Sequence, residues 1–181
     1  MIIFYGIKRN TKHFKKMKST RYLLAIIVML FAIGSSASEV PSVVLKNTDG
    51  KNVDTGKLTN NGRPIVLSFF ATWCKPCLRE LAAIDDVYEQ WREDTGVRYI
   101  LVSTDDAQNV QKVKPLVDGQ GWEFEVLLDI TGELKRLMQV QLLPHVFVID
   151  GNGKIVYNHS GYTDGSENEL YKQIVAADNK H

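Results

Sequence analysis

Cys74 and Cys77 are the only cysteines in this chain of 181 residues, and they stand two residues apart in Trp73-Cys74-Lys75-Pro76-Cys77. A thiol pair at that spacing can close a tight disulfide ring. Where a helix begins at the first cysteine, its positive end favours a thiolate on that sulfur. The residues therefore point to dithiol chemistry. Half of a zinc site is the competing meaning of a CxxC, but tetrahedral zinc takes four ligands and the chain has no second Cys pair.

Such a pair needs a strand that delivers it and a helix that leaves it. Ile65 to Phe70 is nearly continuous apolar sequence, the pattern of a central strand covered on both faces. From Lys75 to Thr95, Leu78, Leu81, Ile84, Tyr88 and Trp91 recur at helical spacing and Gly96 follows as a stop. Pro76 falls in the first turn, where its missing donor costs little.

Ser42 to Lys46 and Lys51 to Asp54, around Asn47-Thr48-Asp49-Gly50, predict a small hairpin. Thr59 to Gly62 reads as a loop. Val97 to Ser103 predicts a second buried strand and Asp105 to Gly119 a helix that Pro115 kinks or shortens. Phe124 to Leu128 and Gly132 to Met138 predict a strand and a short helix. Val146 to Ile149 and Ile155 to Tyr157 predict a hairpin turned by Asp150-Gly151-Asn152-Gly153. A calcium loop is excluded there because Lys154 stands where a ligand is required. Ser166-Glu167-Asn168-Glu169 fits a capping box, with Leu170, Ile174 and Val175 as the inner face of a last helix. The order of elements gives an α/β fold with a mixed sheet.

A composition of 44% hydrophobic and 24% charged residues fits one domain plus a short extra segment. The extra segment is residues 1–38, which carry seven Lys or Arg and no Asp or Glu. Leu23 to Ile33 is an apolar stretch behind Lys15, Lys16, Lys18 and Arg21, and Gly34-Ser35-Ser36-Ala37-Ser38 offers small residues for a peptidase. This is the pattern of a secretory signal, cleaved near Ala37 or Ser38, with Met17 as an alternative start. An uncleaved anchor is the rival reading, although the run is shorter than the about 20 residues that span a bilayer. Residues 39–181 keep 15 basic residues against 21 acidic ones, a net charge near −6. An acidic body without a basic patch excludes nucleic acid as an expected partner. In an oxidising compartment, a lone CxxC is more plausibly a working pair than a structural crosslink.

Phe69-Phe70-Ala71-Thr72-Trp73-Cys74-Lys75-Pro76-Cys77, the Pro144 before the strand His145 to Ile149, and Asp150-Gly151-Asn152-Gly153-Lys154 resemble a thioredoxin-fold protein. The leading hairpin, the signal and the helix and strand between Asp105 and Leu128 narrow the resemblance to the TlpA/ResA-like exported thiol-disulfide oxidoreductases. It spans Val40 to Ala177.

The resemblance implies a thioredoxin-like fold: a central mixed sheet flanked by helices, with an N-terminal hairpin and a central helix-strand insertion. It implies that Cys74 attacks a substrate disulfide and that Cys77 resolves the mixed disulfide. Lys75 adds a cation beside the nucleophile, Pro76 stiffens the loop, and Trp73 packs beside the dithiol. It further implies a cis Leu143-Pro144 bond, although such bonds are cis only about 5% of the time, with the Leu143 backbone pairing with substrate. Where thioredoxin has a buried aspartate, this chain has Ser68, which cannot act as that base. Glu80 matches an active-site glutamate of ResA-like reductases, the alternative being a surface carboxylate. The proline that many relatives carry soon after it is replaced by Leu81-Ala82-Ala83, leaving a bend there open.

His145 follows Pro144, but strand alternation turns it from the dithiol; His159 is expected as a surface residue of a strand. Asn158-His159-Ser160 matches a glycosylation sequon that bacterial export leaves unused. The expected function is reduction of protein disulfides in the periplasm or another extracytoplasmic space. Apocytochrome c is an implied substrate and a membrane thiol carrier the implied donor, with no cofactor besides the Cys74/Cys77 disulfide and no metal. Alternatives are an oxidant or isomerase of the same fold, and a copper module using Cys74, Cys77 and His145. A thiol peroxidase is disfavoured because Thr72 alone does not reproduce its motif.

Overall fold

The computed structural model describes residues 39–178; the signal expected over residues 1–38 lies outside them. No helix among the described residues is long and apolar enough to cross a membrane.

Seven strands form one sheet. They are β1 (Val44–Asn47), β2 (Asn52–Asp54), β3 (Ile65–Phe70), β4 (Arg98–Ser103), β5 (Glu125–Leu128), β6 (His145–Ile149) and β7 (Ile155–Ser160). Their order is β2-β1-β5-β4-β3-β6-β7. The centre, β5-β4-β3, is parallel, and β1, β6 and β7 pair antiparallel at its sides. All six residues of β3 are buried, as its unbroken apolar run requires of a strand covered on both faces.

Among the described residues, four α-helices cover the sheet: α1 (Lys75–Thr95), α2 (Val113–Gln120), α3 (Glu133–Leu137) and α4 (Ser166–Asp178). The inner side chains of α1, α2 and α4 share a core with Val66, Leu101, Val146 and both cysteines. Leu134 of α3, Val43 and Leu45 cover the other face, over Leu67, Phe69 and Phe147. Alternation along each strand assigns its residues to these two layers. Helix α1 runs unbroken through Leu81-Ala82-Ala83 and ends at Gly96, whose φ of 65° suits a residue without Cβ and whose N–H donates to Arg92.

Two expectations fail. No helix starts at Asp105. Its carboxylate binds Thr72 and Ser103, and Asp106 turns the chain by accepting from the Gln108 and Asn109 N–H groups. The helix begins only at Val113, which places Pro115 in its first turn, where it breaks no hydrogen bond. The capping box also does not form: Ser166 Oγ has no partner, and Glu167 instead accepts from the Gly165 N–H and the Tyr162 hydroxyl. Of the expected inner face of α4, Leu170 and Ile174 are buried with Ala177, while Val175 is half-buried.

The hairpin turn is as expected. Asp150 Oδ1 accepts from the N–H groups of Asn152 and Lys154, so this carboxylate is committed to the turn.

Candidate active site

Helix α1 starts where β3 ends, and Cys74 is its N-cap. The Cys77 N–H donates to Cys74 Sγ at 3.3 Å. A sulfur in that position takes the place of the usual capping oxygen, and the helix end stabilises negative charge on it. The two cysteines form a disulfide with their Cα atoms 5.3 Å apart. Cys77 is fully buried in the first turn, whereas Cys74 borders a cleft.

Trp73, Lys75 and Pro76 line one side of that cleft; Lys135, Gln141, Leu142 and Leu143 line the other. Trp73 is beside the dithiol but 66% exposed, so it forms a rim and not a packed wall. Leu142 is equally open, at 67%. The Leu143-Pro144 bond is cis. Among the described residues, the Leu143 N–H and C=O make no backbone hydrogen bond, whereas Pro144 already accepts from Gly161.

The loop carrying Trp73 is tied down from behind. Asp105, buried after the end of β4, accepts from the Thr72 N–H at 2.9 Å, the Thr72 hydroxyl at 2.7 Å and the Ser103 hydroxyl at 2.9 Å. Nothing in the local sequence singled out Asp105. Asp129 plays a like part after β5, accepting from the Leu134 and Lys135 N–H groups and so fixing the helix that carries Lys135 to the cleft.

A polar centre lies beneath α1. Leu101, Ser68, Val146 and His159 stand in one row across β4, β3, β6 and β7. Glu80, three residues after Cys77, lies on the buried face of α1 and is only 2% exposed. Its Oε1 is 3.7 Å from His159 Nε2. Ser68 Oγ, Glu80 Oε2, Tyr99 Oη and both His159 ring nitrogens have no hydrogen-bond partner among the described residues. Burial pushes the Glu80 carboxyl above its ordinary range, while His159 and Ser68 pull it back. Burial, with the nearby Glu80 charge, also raises the Tyr99 hydroxyl well above its usual range.

These positions correct two expectations. Glu80 is no surface carboxylate, and His159 does not face away on the surface. Strand β7 runs three residues past the expected Tyr157, and its pairing with β6 brings His159 opposite Val146 on the α1 side. The expectation for His145 agrees with the structure: its ring stacks on Phe147 at 4.5 Å, in the other layer. Cys74, Cys77 and His145 are therefore not gathered as a ligand set, and no cluster suited to a metal occurs among the described residues.

The AhpC/TSA family model matches residues 37–158. The chain is 30% identical to the thiol-disulfide oxidoreductase ResA of Bacillus subtilis (strain 168), over 78% of this chain and 76% of that one. With ResA of Bacillus thuringiensis subsp. konkukian the identity is 27%, over 88% and 99%. Among solved structures, a thioredoxin-like protein from Porphyromonas gingivalis is 60% identical, covering 78% of this chain and 94% of that one, with a TM-score of 0.71. A putative thiol:disulfide interchange protein DsbE from Chlorobium tepidum is 26% identical over 78% and 96%, at 0.68.

Proposed function

We propose, for a chain that belongs to the AhpC/TSA family and is a thiol-disulfide oxidoreductase acting on proteins, that Cys74 and Cys77 reduce disulfides outside the cytoplasm. The asymmetry of the pair carries the reading. Cys74 receives a helix-end N–H and borders the cleft, as an attacking thiolate should; Cys77 is sealed beneath it, as a resolving thiol should be.

In the reducing direction, the Cys74 thiolate attacks one sulfur of a substrate disulfide. That bond breaks, a mixed disulfide forms, and the departing thiolate takes a proton. Cys77 then gives up its proton and attacks Cys74 Sγ, closing the Cys74–Cys77 disulfide and releasing the second substrate thiol. Glu80, three residues along the same helix face, is the acceptor for the Cys77 proton in place of the aspartate that Ser68 replaces. Lys75 supports the thiolate, and Pro76 and Trp73 shape the rim. An extended substrate segment pairs with the free Leu143 backbone beside Pro144. The resemblance supports export by the signal in residues 1–38, a membrane thiol carrier as donor and apocytochrome c as a substrate.

The reduction potential of the pair tests the direction. A value near or below the about −270 mV of thioredoxin supports a reductase, and one toward the about −120 mV of a strong oxidant reverses the electron flow. Cys74→Ala is expected to abolish exchange and Cys77→Ala to trap mixed disulfides. Ordinary turnover by the Cys74→Ala protein would falsify the mechanism.

A further inference from the structure

The cleft beside Cys74 carries one sign of charge. Lys75 lines one wall and Lys135 the other, and no Asp or Glu is among the lining residues. Other cations are matched across the fold: Arg63 pairs with Asp178, Arg79 with Asp164 and Arg98 with Glu125. Lys75 and Lys135 have no carboxylate partner among the described residues.

The fold supplies no neutralising group. The first turn of α1 has no acidic residue to offset Lys75. Asp105 and Asp129 are buried, and their oxygens are taken by Thr72, Ser103 and the N–H groups of Leu134 and Lys135. Glu133 is two positions from Lys135 on α3, and side chains two apart on a helix do not face each other. The body as a whole has the opposite sign, with 15 basic residues against 21 acidic ones in residues 39–181, so at long range it repels an acidic partner. That repulsion fades beyond a Debye length, about 8 Å at physiological salt, whereas a carboxylate seated in the cleft meets the lysines that line it. Contact decides, and contact favours acid.

We propose that this cleft selects protein segments that carry Asp or Glu beside the disulfide cysteine, with Lys75 and Lys135 setting the preference. This rests on the oxidoreductase reading above and names the substrate chemistry its cleft takes. The cleft measures about 500 Å³, room for a few side chains of an extended segment and not for a folded domain. Such a segment pairs with the Leu143 backbone, which makes no backbone hydrogen bond among the described residues, and lays side chains between the two lysines. Trp73 and Leu142, open at the rim, offer apolar area to any segment. The lysines supply the discrimination.

Three short peptides test this, identical except for Asp, Asn or Lys on both sides of a single cysteine that is held as its disulfide with thionitrobenzoate. The Cys74 thiolate of the reduced protein attacks the peptide sulfur, the S–S bond breaks, and the coloured thionitrobenzoate anion leaves with the electron pair. Dividing each rate by that of β-mercaptoethanol with the same peptide removes the peptide's own reactivity. On this scale the Asp peptide is expected to react about tenfold faster than the Lys peptide, with Asn between, as suits two exposed charge contacts worth a few-fold each. The ratio falls to about threefold in Lys135→Gln and to about one in Lys75→Gln/Lys135→Gln. Salt near 1 M, where the Debye length is about 3 Å, flattens it in the unaltered protein. Neither lysine is in an ion pair, so both variants are expected to keep the fold. Because one thiol meets all three peptides, any effect of Lys75→Gln on the thiolate cancels from the ratio. Equal normalised rates, a preference for the Lys peptide, or a preference that survives in the double variant or in high salt overturns the proposal. Release from all three peptides no faster than with β-mercaptoethanol refutes the oxidoreductase reading itself.

Discussion

Asp105 and Glu80 are both shut away from water, at 1% and 2% exposure, yet the protein treats them in opposite ways. Asp105, after the end of β4, is surrounded by donors: the Thr72 N–H and hydroxyl and the Ser103 hydroxyl. Glu80, on the buried face of α1, has His159 Nε2 at 3.7 Å and an oxygen with no hydrogen-bond partner among the described residues. A fully bonded buried carboxylate stiffens what it touches. One left short of donors is costly as an anion and ready to take a proton. The first carboxylate braces the loop before Cys74; the second serves the sulfur behind it.

The largest expected effect separates bracing from chemistry. Glu80→Gln is expected to slow resolution of a Cys74 mixed disulfide on the order of 10²-fold, a general-base loss, in a protein that still folds. Stopped-flow release of the second leaving thiol measures it, and an unchanged rate would make Glu80 a bystander.

Asp105→Ala is expected to act on stability, by roughly 3 kcal/mol, because it orphans one buried and two part-buried donors. A urea unfolding midpoint matching the unaltered protein would remove Asp105 from the bracing role.

The pH dependence sharpens the contrast further. The folded state raises the Glu80 carboxyl, so its stabilising contribution is complete below the unfolded value and fades as pH rises through the folded one. Glu80→Gln should therefore gain Tm over the unaltered protein as pH increases from acid to mildly alkaline, at about 2–4 °C per kcal/mol. A difference constant with pH speaks against the burial argument. Smallest is Thr72→Val, which removes one hydroxyl from Asp105 and is expected to cost about 1 kcal/mol by urea titration.

The two regions also differed in how far they could be read from residues. The strands β3 and β4 declare themselves because a strand buried on both faces has no polar alternation to obscure it. The CxxC, Pro144 and the turn at Asp150 are local patterns with local causes, and α1 carries its spacing and its stop within its own length. Asp105 and His159 are different, since their partners lie far along the chain. Asp105 meets Thr72 across 33 positions, and His159 reaches Glu80 only because β7 continues in register with β6 through Asn158-His159-Ser160. Three polar residues near a loop carry no strand signature, so the extension had to come from pairing and not from propensity. The late start of α2 has the same origin: Asp105 is drawn away by a distant threonine.

Trp73 stands open at the rim, while Trp91 and Trp122 are buried. An indole beside a disulfide loses excited-state energy to it, and cleaving the S–S bond removes that quencher. The protein thus holds an intrinsic optical gauge of its own oxidation state: emission from Trp73 should brighten on reduction over a steady background from the two interior indoles, letting electron flow be followed without a dye.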